Sequence, residues 1–207
     1  MMAYGFFFDN SRCTGCRTCA MACRDCRDTR RGVSLRKVYD VEGGATVLSA
    51  DGTCTTTAFV HHISLGCQHC ADAACIVACP TGAMHEDAGT GLVVVDAGKC
   101  IACGRCAGAC PYGAPTVDHV AGSCVKCDGC IDRVKAGGKP ICAEACPLRA
   151  LDFGEIETLR ARHDGVQGIP PMPDASITHP RIIIKPSLVA ASPLAAESFI
   201  ANPEEVR

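Results

Sequence analysis

Sixteen of the nineteen cysteines in this 207-residue chain fall into four tight groups, and those groups constrain the fold more than anything else in the sequence. The first is Cys13, Cys16, Cys19 and Cys23, spaced C-x2-C-x2-C-x3-C. The second is Cys67, Cys70, Cys75 and Cys79, spaced C-x2-C-x4-C-x3-C and followed by Pro80. The third, Cys100, Cys103, Cys106 and Cys110, repeats the first spacing and ends at Pro111. In the fourth, Cys127 and Cys130 are separated by eleven residues from Cys142 and Cys146, and Pro147 follows. This is an internal repeat of a 4Fe-4S ligand run.

Three cysteines two residues apart wrap a loop around three corners of a cubane. The fourth, three residues on, is expected to begin a helix that leads away, so its thiolate points at a different cluster. Cys23 is therefore expected not to serve the cluster held by Cys13. The proline after the run suits the turn, because its φ is fixed and it has no N–H to satisfy. Zinc is the competing reading: the fourth group alone, a C-x2-C followed by a C-x3-C, could pass for a structural zinc site, but groups one and three fit zinc poorly. Cys26, Cys54 and Cys124 are left over and read as small buried hydrophobes or bystanders.

The rest of the composition agrees with a core that is largely inorganic. Hydrophobic residues make up 48% of the chain, but aromatics are 4%, there is no Trp, and much of the apolar total is Cys and Ala. The odd cysteine count argues against a disulfide scaffold, and the start MMAYGFFFDNSRC lacks the apolar run of a secretory signal, so assembly is expected in a reducing compartment. No window of about 18 apolar residues exists to span a membrane. With 20 basic against 22 acidic side chains, nothing suggests nucleic acid. Loading four oxidised clusters on sixteen thiolates gives the holo-protein a charge of roughly −10. Gly15, Gly104 and Gly129 lie inside ligand loops, where backbone amides can approach sulfur, and Arg17, Arg105, Lys126 and Arg133 are placed to balance charge.

Strand-forming segments flank the groups: YGFFFD, TTTAFVHHISL, GLVVVD and HPRIIIKPS. Helices are expected as each group exits and over 155–163, where acidic residues lead and arginines close. The fold class is α+β, two bacterial-ferredoxin-like modules with one nested in the other. If group two pairs with group three, groups one and four must pair. The expected division is 1–60 with 120–165 as a split module, 61–119 as the inserted one, and 166–207 as an extended tail lying on partner subunits, with IIIK forming at least one paired strand. The seven histidines show no metal spacing, and no phosphate-binding loop or nucleophilic triad is present.

With these spacings in hand, the segments YGFFFDNSRCTGCRTCAMACRD, HCADAACIVACPTGAMH, KCDGCIDRV, PICAEACPLRALDFG and the terminal ANPEEV resemble the four-cluster electron-transfer subunits of the membrane-bound dimethyl sulfoxide reductase family, over essentially the whole chain. The resemblance implies four ligand sets: Cys13, Cys16, Cys19 and Cys146; Cys127, Cys130, Cys142 and Cys23; Cys67, Cys70, Cys75 and Cys110; Cys100, Cys103, Cys106 and Cys79. It implies partners as well. The Cys13 cluster would face a molybdopterin catalytic subunit and the Cys100 cluster a quinol-oxidising membrane anchor. The chain would then be a wire for S- or N-oxide reduction with no catalytic residue of its own, membrane-associated through its partners. The spacing is shared with polysulfide or thiosulfate reductase and formate dehydrogenase subunits. A soluble polyferredoxin and a reversed direction of flow also stay open at this point.

Overall fold

The computed structural model describes residues 3–206. Strand β1 (Tyr4–Asp9) leads into the first ligand loop and helix α1 (Thr18–Cys26). A long hairpin follows, β2 (Arg36–Gly43) and β5 (Phe59–Gly66), with an exposed smaller hairpin, β3 (Thr46–Leu48) and β4 (Cys54–Thr56), at its tip. Next come α2 (Ala74–Val77), the hairpin β6 (Met84–Glu86) and β7 (Val93–Val95), α3 (Arg105–Ala109), and the hairpin β8 (Thr116–Asp118) and β9 (Ser123–Val125). Helices α4 (Ile131–Lys135) and α5 (Ile141–Glu144) carry the fourth group into β10 (Leu151–Glu155) and α6 (Ile156–Arg162). Two 3-10 turns (Ala175–Ile177 and Pro193–Glu197) and two strands, β11 (Ile182–Lys185) and β12 (Phe199–Ile200), complete the described chain.

The apolar run YGFFFD becomes the middle of a three-stranded sheet, with β10 antiparallel on one side and β11 parallel on the other. A strand covered on both faces needs apolar residues in succession, and β1 and β11 have them. Alternation still sorts the two faces. Phe6, Phe8, Ile182 and Ile184 join the main core with Phe153, Val38 and Ile63, and the same core includes Cys19, Cys142 and Cys146. Phe7 and Ile183 face the other way, against Ile156 and Leu159 of α6. As expected from its charge order, α6 carries Glu157 in its first turn and Arg160 and Arg162 in its last.

Three expectations need correction. The first concerns helix placement. The helices begin before the third cysteine of a group: Cys19 and Cys23 both lie on α1, Cys75 on α2 and Cys106 on α3, while Cys110 sits at the end of its helix. The second is the boundary at 60/61, which falls inside β5, a strand paired along its whole length with β2. The third is the segment from 166 onward, expected as an extended tail. It is threaded through the chain's own body. Ile182–Lys185 is a buried parallel strand of the main sheet, and Phe199–Ile200 extends the second sheet beside β2. Just before Ile182, Gln68 O accepts from Arg181 N–H, while Ala71 N–H and Asp72 N–H donate to the carbonyls of His179 and Thr178. The tail thus clamps the loop that carries Cys67 and Cys70. The close approach depends on Gly5, where a Cβ would collide with the Arg181 carbonyl.

A strand this deeply buried contributes to stability directly. Ile184→Ala is expected to cost about 2–5 kcal/mol, seen as a lower urea midpoint by circular dichroism. Leu188→Ala, at a side chain 95% exposed, should shift stability by no more than about 0.5 kcal/mol.

Candidate iron-sulfur sites

The first ligand loop turns sharply at Gly15 (φ +68°) and Arg17 (φ +60°), and α1 begins immediately after. This wraps Cys13, Cys16 and Cys19 around one cavity, and Cys146 closes it, with Val38 and Leu151 as apolar wall. Burial pushes the Cys13 thiol up to about 11, and the neighbouring charges of Cys19, Cys146 and Cys16 add to the shift. Ala150 N–H donates to Cys146 Sγ at 3.3 Å. A second cavity is lined by Cys67, Cys70, Cys75 and Cys110. Burial raises the Cys75 thiol to about 12, with Cys67, Cys110 and Cys70 acting on it as well.

Cys23 points away from the loop that precedes it. Its thiol is pushed up to about 12 by burial and then by the charges of Cys127, Cys142 and Cys130, with Arg36 opposing. All four of these cysteines are buried. The structure therefore brings Cys23 to the fourth group and Cys146 to the first. Around Cys106 the same apolar cluster gathers Cys79 and Cys100, while Cys103 is exposed. Cys79 Sγ accepts from Met84 N–H at 3.4 Å and Cys100 Sγ from Cys124 N–H at 3.3 Å.

These sets form a contiguous series. Cys19 acts on Cys142, Cys67 acts on Cys127, and Cys75 and Cys106 share one apolar cluster. Four thiols on a single zinc would converge, with Zn–S about 2.3 Å. Among the described residues, no three His, Cys, Asp or Glu side chains converge on a point where one metal ion could sit. Thiols ringing a cavity, with backbone N–H groups aimed at sulfur, fit a polynuclear iron-sulfur core instead.

Buried cations complete the fit. Lys126 is 6% exposed, and its ammonium reaches Cys67 Sγ at 3.5 Å, the Cys127 carbonyl at 2.7 Å and the Val93 carbonyl. Of the four cations expected to balance thiolate charge, it alone bonds a ligand sulfur. Arg17 instead pairs with Asp40 and Glu205, Arg133 with Glu144, and Arg105 is exposed. The more consequential cation was missed. Arg36 is 2% exposed, its guanidinium lies 4.8 Å from the Phe6 ring centroid, and it donates to Ser64. Burial works against its charge, but Cys142, Cys19, Cys127 and Cys23 outweigh that and raise its pKa. The alternation of Arg36 with Val38 at the start of β2 was the available signal. His69 is fully buried and held neutral, by burial first and then by Lys126, Arg181 and Arg36. Its Nδ1 accepts from Val93 N–H at 3.0 Å. Arg36 Nε, His69 Nε2 and both polar atoms of Gln68 have no protein hydrogen-bond partner. Cys26 and Cys54 are exposed and Cys124 is buried.

Comparison with known proteins agrees with this chemistry. The chain is 47% identical over 206 residues to the B subunit of anaerobic dimethyl sulfoxide reductase from Haemophilus influenzae, covering 100% of both, and 48% identical over 205 residues to the B subunit from Escherichia coli, covering 98% of both. It belongs to the family of anaerobic dimethyl sulfoxide reductase B subunits. A model of the 4Fe-4S dicluster domain matches residues 58–156 of this family member, a span that holds the second, third and fourth cysteine groups. The thiosulfate reductase electron transfer subunit PhsB of Salmonella typhi is 34% identical over 155 residues, 74% of this chain and 77% of that one. With a 4Fe-4S dicluster domain matched and its cysteines grouped as above, the chain is an iron-sulfur protein. Among the described residues no helix is long and apolar enough to cross a membrane.

The first loop provides a test. A Cβ at Gly15 would lie 2.6 Å from His62 Nδ1, and φ there is already left-handed. Gly15→Ala should cost about 1–3 kcal/mol and lower the iron bound per chain. Gly52→Ala, also left-handed but in open space, should cost about 1 kcal/mol or less and leave iron unchanged.

Proposed function

We propose that this chain is the electron-transfer subunit of a dimethyl sulfoxide reductase-type complex. Electrons arrive from an integral membrane subunit that oxidises quinol and pass singly through four 4Fe-4S clusters. They leave to a molybdopterin-containing catalytic subunit that reduces dimethyl sulfoxide or a related S- or N-oxide. The ligand sets are Cys13, Cys16, Cys19 with Cys146; Cys127, Cys130, Cys142 with Cys23; Cys67, Cys70, Cys75 with Cys110; and Cys100, Cys103, Cys106 with Cys79. Bond-making on the substrate belongs to the catalytic partner. This chain's residues hold the clusters in series and tune them by charge, hydrogen bonding and burial.

The observation that carries this reading is the series itself and where it surfaces. Of the sixteen grouped cysteines, two are exposed: Cys16 in the first set and Cys103 in the last. An electron relay needs solvent-side access at its two ends and exclusion of water between them. Exposed apolar residues accompany both ends, Met21 and Leu148 near the first set, Val77 and Ile101 near the last. They suit burial against partner subunits. On the resemblance, the Cys13 end faces the molybdenum subunit and the Cys100 end the membrane anchor. The partial match to a thiosulfate reductase subunit keeps the same relay in another molybdoenzyme as the second reading, but full-length identity of 47–48% to dimethyl sulfoxide reductase B subunits favours the first.

Crossed ligation is open to a direct comparison of variants. Cys13→Ser and Cys146→Ser should abolish or convert the same cluster signal in electron paramagnetic resonance of the reduced protein, and Cys142→Ser a different one, each reducing iron by about four atoms at most per chain. A Cys146→Ser spectrum that matches Cys142→Ser would mean that each group serves its own cluster.

A further inference from the structure

The junction between the second and third thiol sets holds one buried cation. Lys126 immediately precedes Cys127, so its backbone belongs to the fourth cysteine group, while its ammonium crosses to the second group and reaches Cys67 Sγ at 3.5 Å. The same ammonium donates to the Cys127 carbonyl at 2.7 Å and to the Val93 carbonyl on β7. Three fixed acceptors leave the long side chain no freedom, and at 6% exposure water does not screen it. No carboxylate neutralises it: among the described residues the ion pairs of this chain do not include Lys126. Its ammonium thus touches a ligand sulfur of one set and the backbone of a ligand of the next.

We propose that Lys126 is the shared counter-charge of the two central clusters, a positioning residue that raises both of their reduction potentials together. The inference rests on the reading that Cys127 and Cys67 ligate neighbouring clusters. An added electron makes either cluster more negative, and a fixed cation within hydrogen-bond reach of ligand sulfur stabilises that form more than the oxidised one. Because one ammonium faces both sets, neither potential can be set without the other, which keeps the crossing between the two ferredoxin-like halves nearly level. A cation on the protein surface cannot act this way, since solvent and salt screen it.

The test is a redox titration of the full chain, isolated with its partners and followed by electron paramagnetic resonance, comparing wild type with Lys126→Gln and Lys126→Arg. Cys127→Ser and Cys67→Ser identify which two of the resolved signals belong to the junction. Lys126→Gln, which keeps polar contacts but drops the charge, should make those two reductions at least tenfold less favourable, 59 mV per tenfold for one electron. The other two should not move, and Lys126→Arg should stay near wild type. Loss of clusters in Lys126→Gln with Lys126→Arg fully loaded and near wild type also supports the proposal, because charge is then what is missing. Unmoved midpoints in Lys126→Gln overturn it, as does an equal shift of all four or an equal effect of both variants. A wild-type chain that carries fewer than about sixteen irons would instead refute the four-cluster reading, which iron analysis of the same sample detects separately.

Discussion

Negative charge placed inside a small protein is the constraint on which the rest of this structure depends. Thiolate ligands buried as deeply as Cys142 (3% exposed) and Cys23 (6% exposed) lose the stabilisation that water gives an anion. Three devices offset that loss here. Iron is the first, since coordination of a 4Fe-4S core spreads ligand charge over metal. Backbone N–H groups aimed at sulfur are the second, as at Cys79, Cys100, Cys127 and Cys146. Buried cations are the third, Arg36 beside the first two sets and Lys126 beside the second and third. The ligand loops themselves turn through left-handed backbone, with Gly15, Gly104 and Gly129 all at positive φ.

The sheets serve the same constraint. Cys146 lies just before β10, which pairs with β1, and β1 leads into the loop of Cys13, Cys16 and Cys19. Pairing those strands brings the last cysteine of the chain to the first three. The C-terminal segment then secures the ligand loops from outside. Residues 178–181 bond the loop of Cys67 and Cys70, while Glu205 pairs with Arg17 and Asn202 accepts from Asp40 N–H beside the first loop. A chain with few aromatics thus obtains order from main-chain hydrogen bonds and from thiols packed into its apolar clusters.

Much of this was legible in the sequence because metal ligation leaves a local record. Loop geometry dictates the C-x2-C steps, and the apolar runs YGFFFD and IIIK announce strands covered on both faces. Features that depend on distant residues were not legible in the same way. Arg36 reads locally as a strand-end charge, and only the convergence of Cys19, Cys23, Cys127 and Cys142 makes it a buried counter-ion. Helices of four or five residues such as α2 and α5 have no periodicity to read, so their start ahead of the third cysteine was missed. The segment GVQGIPPMPDASITHP is rich in Gly and Pro, which suggested an extended tail; its order comes from partners at 71 and 72, more than a hundred residues away in the chain, and from Ile184, which bonds Val166.

The series of thiol sets with exposed cysteines at its two ends is the architecture of a relay, and the number of clusters it holds decides how far that relay reaches. The most direct measurement is iron and zinc per chain in anaerobically purified protein, with electron paramagnetic resonance of the reduced sample. About sixteen irons, with the broadened signals of interacting reduced cubanes, is the result this account predicts. Stoichiometric zinc with no paramagnetic signal would contradict it.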